Sequence, residues 1–160
     1  MFRFWYRYVF ANRTLIETGA QQAVWLKRIE PDYNSYMGLV FEKVCMDYLI
    51  VKNAEGELPI LFTRIGRWWG TNPATHGQEE IDLVANDGKD YIFGECKWRN
   101  EKLDLPVLRE LKAKADLFSR SRNNTYYVLF SKSGFTEALI NEAESGSGIM
   151  LVDLNKIMNC

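Results

Sequence analysis

Two periods alternate along this chain, and they place most of its elements before any chemistry is considered. Residues 79–85 and 91–98 alternate polar or aromatic with aliphatic side chains, the period of a half-buried strand. Asp87-Gly88 between them predicts a tight hairpin turn, since glycine takes a positive φ freely. An even-length turn sets Asp82 opposite or nearly opposite Phe93, and Glu80 opposite or close to Glu95. Paired residues share a face, so Asp82, Glu95 and Lys97 are predicted to project together from one side of a sheet.

Ahead of the hairpin, residues 20–29 carry a short helical pattern with Ala23, Leu26 and Trp25 inward. Pro31, tolerated in a first turn, opens a longer helix over residues 33–51. Its apolar stripe is Phe41, Val44, Cys45, Tyr48 and Leu49, and Glu42 lies one turn before Cys45, aimed toward that stripe. Two readings of Glu42 stay open: a flank residue reaching water, or an inward carboxylate that needs a cation, a metal or a donor. Residues 52–59 are a polar loop, and residues 60–69 read as a first strand, where one of Trp68 and Trp69 must point inward. The loop over residues 70–77 holds His76, the only histidine, read first as solvated polar surface. After the hairpin, Asp104 can cap a helix running to about Arg122. Leu108, Leu111, Ala115 and Phe118 form its core stripe, with Arg109, Lys112, Asp116 and Arg120 outside. A buried strand at 126–130, a helix at 135–144, a strand at 149–152 and a helical turn at 153–158 complete the chain. Hairpin-joined strands followed by helix-joined ones predict an α/β fold with a mixed sheet and helices on both faces.

Composition narrows the setting. The 160 residues are one α/β domain's worth of chain over 31–160, preceded by an aromatic helical segment over 1–30. Phe2, Phe4, Trp5, Tyr6, Tyr8 and Phe10 crowd that segment, which either forms an interface or folds back on its own core. A net charge of −1 leaves nucleic-acid binding to a local patch rather than to a basic tract. The three cysteines, Cys45, Cys96 and Cys160, lack metal-ligand spacing, so a reduced, cytoplasmic protein is expected, and no stretch is long enough to span a membrane.

The hairpin carries the chemistry. Asp82 and Glu95 are hard oxygen donors of the kind Mg²⁺ or Mn²⁺ accepts, and Lys97 lies one strand step beyond Glu95 on the same face. The competing reading is a surface salt-bridge set in which Lys97 only offsets the two carboxylates. Ile81-Asp82…Glu95-Cys96-Lys97 resembles the Asp…Glu-x-Lys core of the PD-(D/E)XK nuclease superfamily, with Ile81 where the nominal motif has proline. Phe4-Trp5-Tyr6-Arg7-Tyr8, Arg64-Ile65-Gly66-Arg67-Trp68-Trp69-Gly70, Gly94-Glu95-Cys96-Lys97-Trp98 and Phe130-Ser131-Lys132-Ser133-Gly134-Phe135 resemble the C-terminal domain of unknown function of archaeal-type AAA+ ATPases. That resemblance extends over nearly the whole chain and implies that the chain is the C-terminal piece of something longer.

The superfamily resemblance implies a restriction-endonuclease-like fold with an α-β-β-β-α-β core and Mg²⁺- or Mn²⁺-dependent hydrolysis of DNA. It implies Asp82, Glu95, the Cys96 backbone carbonyl and Glu42 as metal ligands, with Lys97 orienting the attacking water. Arg64, Arg67, His76, Arg99 and Lys102 are the nucleic-acid contacts expected around that site. The partners implied are DNA, an AAA+ ATPase domain and a second copy of the chain. The alternative is a catalytically silent module that keeps the fold for docking DNA or protein.

Overall fold

The computed structural model describes residues 2–118, 122–146 and 148–159, so Arg120 of the predicted outer stripe and Cys160 lie outside the described residues. The chain divides into two compact units, one up to Leu39 and one from Val40 onward.

The first unit is helical throughout. Helices α1 (Phe2–Phe4), α2 (Arg13–Glu17) and α3 (Gln21–Val24) are joined by wider π-helical turns at Trp5–Val9 and Trp25–Ile29 and a 3₁₀ turn at Phe10–Asn12. They lead into α4 (Glu30–Glu55), which carries Pro31 in its first turn. Tyr8, Val24 and Ile29 form a small buried core, with Phe4, Ile16, Tyr33 and Tyr36 packed against it. The Tyr8 hydroxyl donates to Asp32 at 2.5 Å, and Arg7 pairs with the same carboxylate at 2.7 Å. Burial, then that hydrogen bond, pushes the Tyr8 phenol up to about 12. The predicted inward residues Ala23, Leu26 and Trp25 are exposed, and Val24 and Ile29 are buried instead. A π-helical turn holds more than 3.6 residues, so it moves the apolar face away from where α-helical spacing places it. The aromatic end divides likewise: Phe4 and Tyr8 join the core, while Trp5, Tyr6 and Phe10 cluster in the open with ring centroids 5.1 to 5.6 Å apart.

The second unit is built on a five-stranded mixed sheet in the order β1-β2-β3-β4-β5. The strands are β1 (Arg64–Thr71), β2 (Gln78–Asn86), β3 (Tyr91–Lys97), β4 (Thr125–Ser131) and β5 (Ile149–Asp153). β1, β2 and β3 pair antiparallel, while β3, β4 and β5 pair parallel through α5 (Leu105–Leu117) and α6 (Glu137–Ser145). A short α7 (Leu154–Met158) follows β5, and the core order is the α-β-β-β-α-β predicted. From α4, Phe41, Cys45 and Leu49 pack on one face of the sheet against Leu83, Ala85, Ile92, Cys96, Val128 and Phe130. Val44 of the predicted stripe is exposed, and Tyr48 is half-buried. From α5 and α6, Leu108, Leu111, Ala115 and Leu139 cover the other face over Ile81, Val84, Phe93 and Leu129. Among the described residues no helix is long and apolar enough to cross a membrane.

Several boundaries differ from the sequence reading, and at two of them side chains compete for backbone groups. β1 starts at Arg64 rather than Ile60, because the Asn53 side chain takes both the Phe62 N–H (2.9 Å) and the Phe62 carbonyl (3.1 Å). The β2–β3 turn holds four residues, since the Asp87 carboxylate accepts from the N–H groups of Lys89 and Asp90, both at 2.8 Å. α5 ends at Leu117, where Phe118 turns extended and packs its ring edge-on or tilted against Trp68, Tyr91 and Phe93. Asp104 occupies the N-cap position but accepts from the Thr136 hydroxyl instead of capping α5.

Gly94 sits in β3 against tightly packed core side chains. A Cβ there would lie 2.9 Å from Val128 and 3.0 Å from Leu83, both fully packed in the core. Gly66 in β1 has open space at the same position. Gly94→Ala is therefore expected to cost about 1–3 kcal/mol, and Gly66→Ala less than about 0.5 kcal/mol. Urea unfolding of both variants measures this, and equal midpoints would show that the β3–β4 contact yields freely.

Candidate active site

The β2–β3 pairing runs Leu83↔Gly94, Val84↔Phe93, Ala85↔Ile92 and Asn86↔Tyr91. This corrects the predicted register by two residues, the two that the longer turn consumes. A slip of two leaves the paired side chains on their predicted faces. Continued by one step, the register brings Asp82 beside Glu95, while Glu80 pairs with Trp69 of β1 rather than with Glu95.

A β-bulge sharpens this placement. The β1–β2 register steps from Gly66↔Val84 to Trp68↔Ile81, so β2 carries one extra residue at the level of Asp82 and Leu83. Ile81 and Val84 consequently share the α5-side core, although strict alternation would separate them. At the bulge, Asp82 Oδ2 accepts the Cys96 N–H at 2.8 Å. Asp82 and Glu95 are 8% and 4% exposed, which sets them apart from an ordinary charged strand face.

Lys97 donates to Glu95 Oε1 at 2.5 Å. Lys114 approaches Glu95 Oε2 from α5 at 3.5 Å without making a hydrogen bond, and Oε2 is a buried oxygen with no hydrogen-bond partner. Burial, then the Glu95 charge, raises the Asp82 carboxyl above the ordinary carboxylate range, against the Cys96 N–H and Lys97, which lower it. Burial pulls the Lys97 ammonium down, but the Glu95 hydrogen bond and the Glu95 and Asp82 charges outweigh it, so the net shift is upward. Lys97 therefore stays protonated at neutral pH, a donor and a charge rather than a base.

Glu42 is half-buried on α4 and pairs with Arg67 of β1. Among the described residues no group of three or more His, Cys, Asp or Glu side chains converges to hold a metal. The cluster is thus two carboxylates and two ammoniums. Arg99 is exposed, close enough for its charge to oppose that of Lys97. Arg64, His76 and Lys102 are exposed, with His76 at a positive φ of 56° in the β1–β2 loop. Trp68 is half-buried against Phe118, and Trp69 is 69% exposed on the opposite face of β1. The Cys96 side chain points into the α4-side core, where burial and a hydrogen bond with Cys45 raise its thiol.

Lys114 was not among the residues singled out from sequence. Its signal is the three-residue spacing from Leu111, which puts it on the flank of the α5 core stripe rather than on the outer one. As oxygen donors, Asp82 and Glu95 fit a divalent cation: both are buried, adjacent, and one Glu95 oxygen has no donor of its own.

The raised Asp82 carboxyl makes a stability prediction. The folded chain holds this proton to higher pH than the unfolded chain, so stability is lost as pH rises from about 3.8 through the folded value. Asp82→Asn keeps an oxygen acceptor for the Cys96 N–H and removes the charge. In metal-free buffer its melting temperature should exceed that of the unchanged chain by a few degrees at pH 7, roughly 1 kcal/mol. The difference should shrink toward pH 3.5. An Asn variant that melts lower at pH 7 would mean that the charge of Asp82 is stabilised rather than crowded.

Residues 5–115 match the family DUF234, described as archaea bacterial proteins of unknown function. An uncharacterised protein of Methanocaldococcus jannaschii, MJECL04, is 40% identical over 133 residues, which cover 81% of this chain and 28% of that protein. The chain therefore spans about a quarter of that relative's length. A crystal structure of a protein of unknown function, AF1548, aligns with a TM-score of 0.48 at 16% identity, over 74% of this chain and 65% of that one. The DNA modification-dependent restriction endonuclease AspBHI aligns with a TM-score of 0.37 at 15% identity, over 73% of this chain and 29% of that one. With its match running over more than half the sequence, the chain belongs to this family of archaeal and bacterial proteins of unknown function.

Proposed function

We propose that the protein is a divalent-metal-dependent phosphodiesterase acting on DNA, with Asp82, Glu95 and Lys97 as its reacting centre. The observation that carries this reading is the pair of buried, adjacent carboxylates, one with an oxygen lacking any hydrogen bond, set against a protonated lysine. Two buried carboxylates side by side are costly, and cations are what lower that cost.

Hydrolysis of a phosphodiester requires a placed water, neutralised phosphate oxygens and a stabilised leaving oxygen. Asp82 and Glu95 would hold Mg²⁺ or Mn²⁺, which supplies Lewis acidity toward the phosphate and a more acidic water. The Cys96 N–H fixes Oδ2 of Asp82, so the carboxylate keeps its aim without spending its other oxygen. The Lys97 ammonium is anchored by Glu95 and half-exposed, able to donate toward a phosphate oxygen as negative charge develops there. Arg99, exposed and close to Lys97, would offer a guanidinium to a flanking phosphate of the strand. Glu42 is held by Arg67, so its joining the centre would require that ion pair to open.

Incubation with supercoiled plasmid and branched DNA tests this in Mg²⁺, Mn²⁺ and EDTA. Cleavage is expected with metal alone, and Asp82→Ala should lower it at least about 100-fold while DNA affinity holds or rises. Cleavage by the variant at the unchanged rate would remove Asp82 from the chemistry. DNA binding without cleavage in either metal would overturn the enzyme reading in favour of a docking module.

A further inference from the structure

The second ammonium of the cluster has no place in the reaction just described, and its geometry is unusual. Lys114 reaches Glu95 Oε2 at 3.5 Å, within ion-pair range but without a hydrogen bond, whereas Lys97 holds Oε1 at 2.5 Å. The oxygen Lys114 faces is the one buried side-chain oxygen of the described residues that lacks a hydrogen-bond partner. Lys114 comes from a different element, α5, and also lines a cleft with Asn72, Glu79 and Glu110. An ammonium leaving Glu95 thus has other carboxylates within the same cleft.

We infer that Lys114 is a positioning residue that occupies the place of a cation at Glu95 Oε2 and yields it when a divalent metal binds. This rests on the metal-site reading of Asp82 and Glu95. Two carboxylates balanced by two lysines are neutral together, and adding a divalent ion to that set would leave two positive charges in excess. Displacing Lys114 toward Glu79 and Glu110 relieves part of that excess, whereas displacing Lys97 would break a hydrogen bond that Lys114 does not make. The lysine keeps Glu95 from standing uncompensated before the metal arrives, and it competes with the metal for the same oxygen.

Competition has a direction that a merely structural role lacks: removing the competitor must tighten metal binding. Calorimetric titration of Mn²⁺ into the full chain, without nucleic acid, measures it for the unchanged chain, Lys114→Met, Lys114→Gln, Lys112→Met and Asp82→Asn. Lys112 lies on the same helix, half-exposed and 3.9 Å from Glu142 of α6, so it reports the general effect of deleting one nearby charge. Lys114→Met is expected to bind Mn²⁺ about tenfold tighter than the unchanged chain, with a lower melting temperature in EDTA. Lys114→Gln should show the same tightening if the methionine variant does not fold. Lys112→Met should bind as the unchanged chain does. Equal or weaker binding by the Lys114 variants would overturn the placeholder, and so would an equal gain from Lys112→Met, which would reveal diffuse electrostatics. Failure of the unchanged chain to bind Mn²⁺ above the level of Asp82→Asn would instead sink the metal site itself, and the placeholder with it.

Discussion

The Cys96 N–H donates not to a strand carbonyl but to the carboxylate of Asp82, and the candidate centre depends on that hydrogen bond. The β2–β3 ladder ends at Leu83 and Gly94, one residue short of the carboxylates. Beyond that point β2 bulges at Asp82 and Leu83, and the amide of β3 holds the Asp82 carboxylate. Without the amide, a carboxylate only 8% exposed would meet its neighbour Glu95 with nothing fixing its direction.

The surrounding core makes that arrangement rigid. Ile81, Leu83 and Phe93 are fully buried about the carboxylates, and α4 and α5 pack on opposite faces of the same three central strands. Gly94 lets β3 approach Val128 and Leu83 at a separation no side chain would allow, directly before Glu95. Charges in such surroundings are screened little, so the two ammoniums matter more than surface pairs do. Lys97 and Lys114 reach the same carboxylate from a strand and a helix, joining the chemistry to two layers of the fold.

The fold was largely legible because its signals are periodic. The alternation over β2 and β3, the apolar run of β4 and the stripes of α4 and α5 gave element order and sheet type. Asp82, Glu95 and Lys97 shared a face in sequence because strand parity is insensitive to a shift of two. What escaped was set by side chains that intercept backbone groups and by irregular backbone turns. Asp87 lengthened the turn, Asn53 delayed β1, and a π-helical turn rotated the face of residues 25–29. Glu42 illustrates a different limit: helical spacing left open whether it reaches water or a cation, and only the position of Arg67 decides what it meets. Lys114 escaped because its partner lies on another element, and helical spacing alone marks it only as a flank residue.

The central claim is that Asp82 and Glu95 together hold a divalent cation, and locating the ion tests it most directly. Crystals of the protein grown with Mn²⁺, with diffraction recorded at a wavelength where manganese scatters anomalously, would show where the ion sits. The account predicts an anomalous peak within coordination distance of both the Asp82 and Glu95 carboxylates, absent from crystals of Asp82→Asn grown under the same conditions. A peak elsewhere with none at Glu95, or an undiminished peak in the Asn variant, would contradict it.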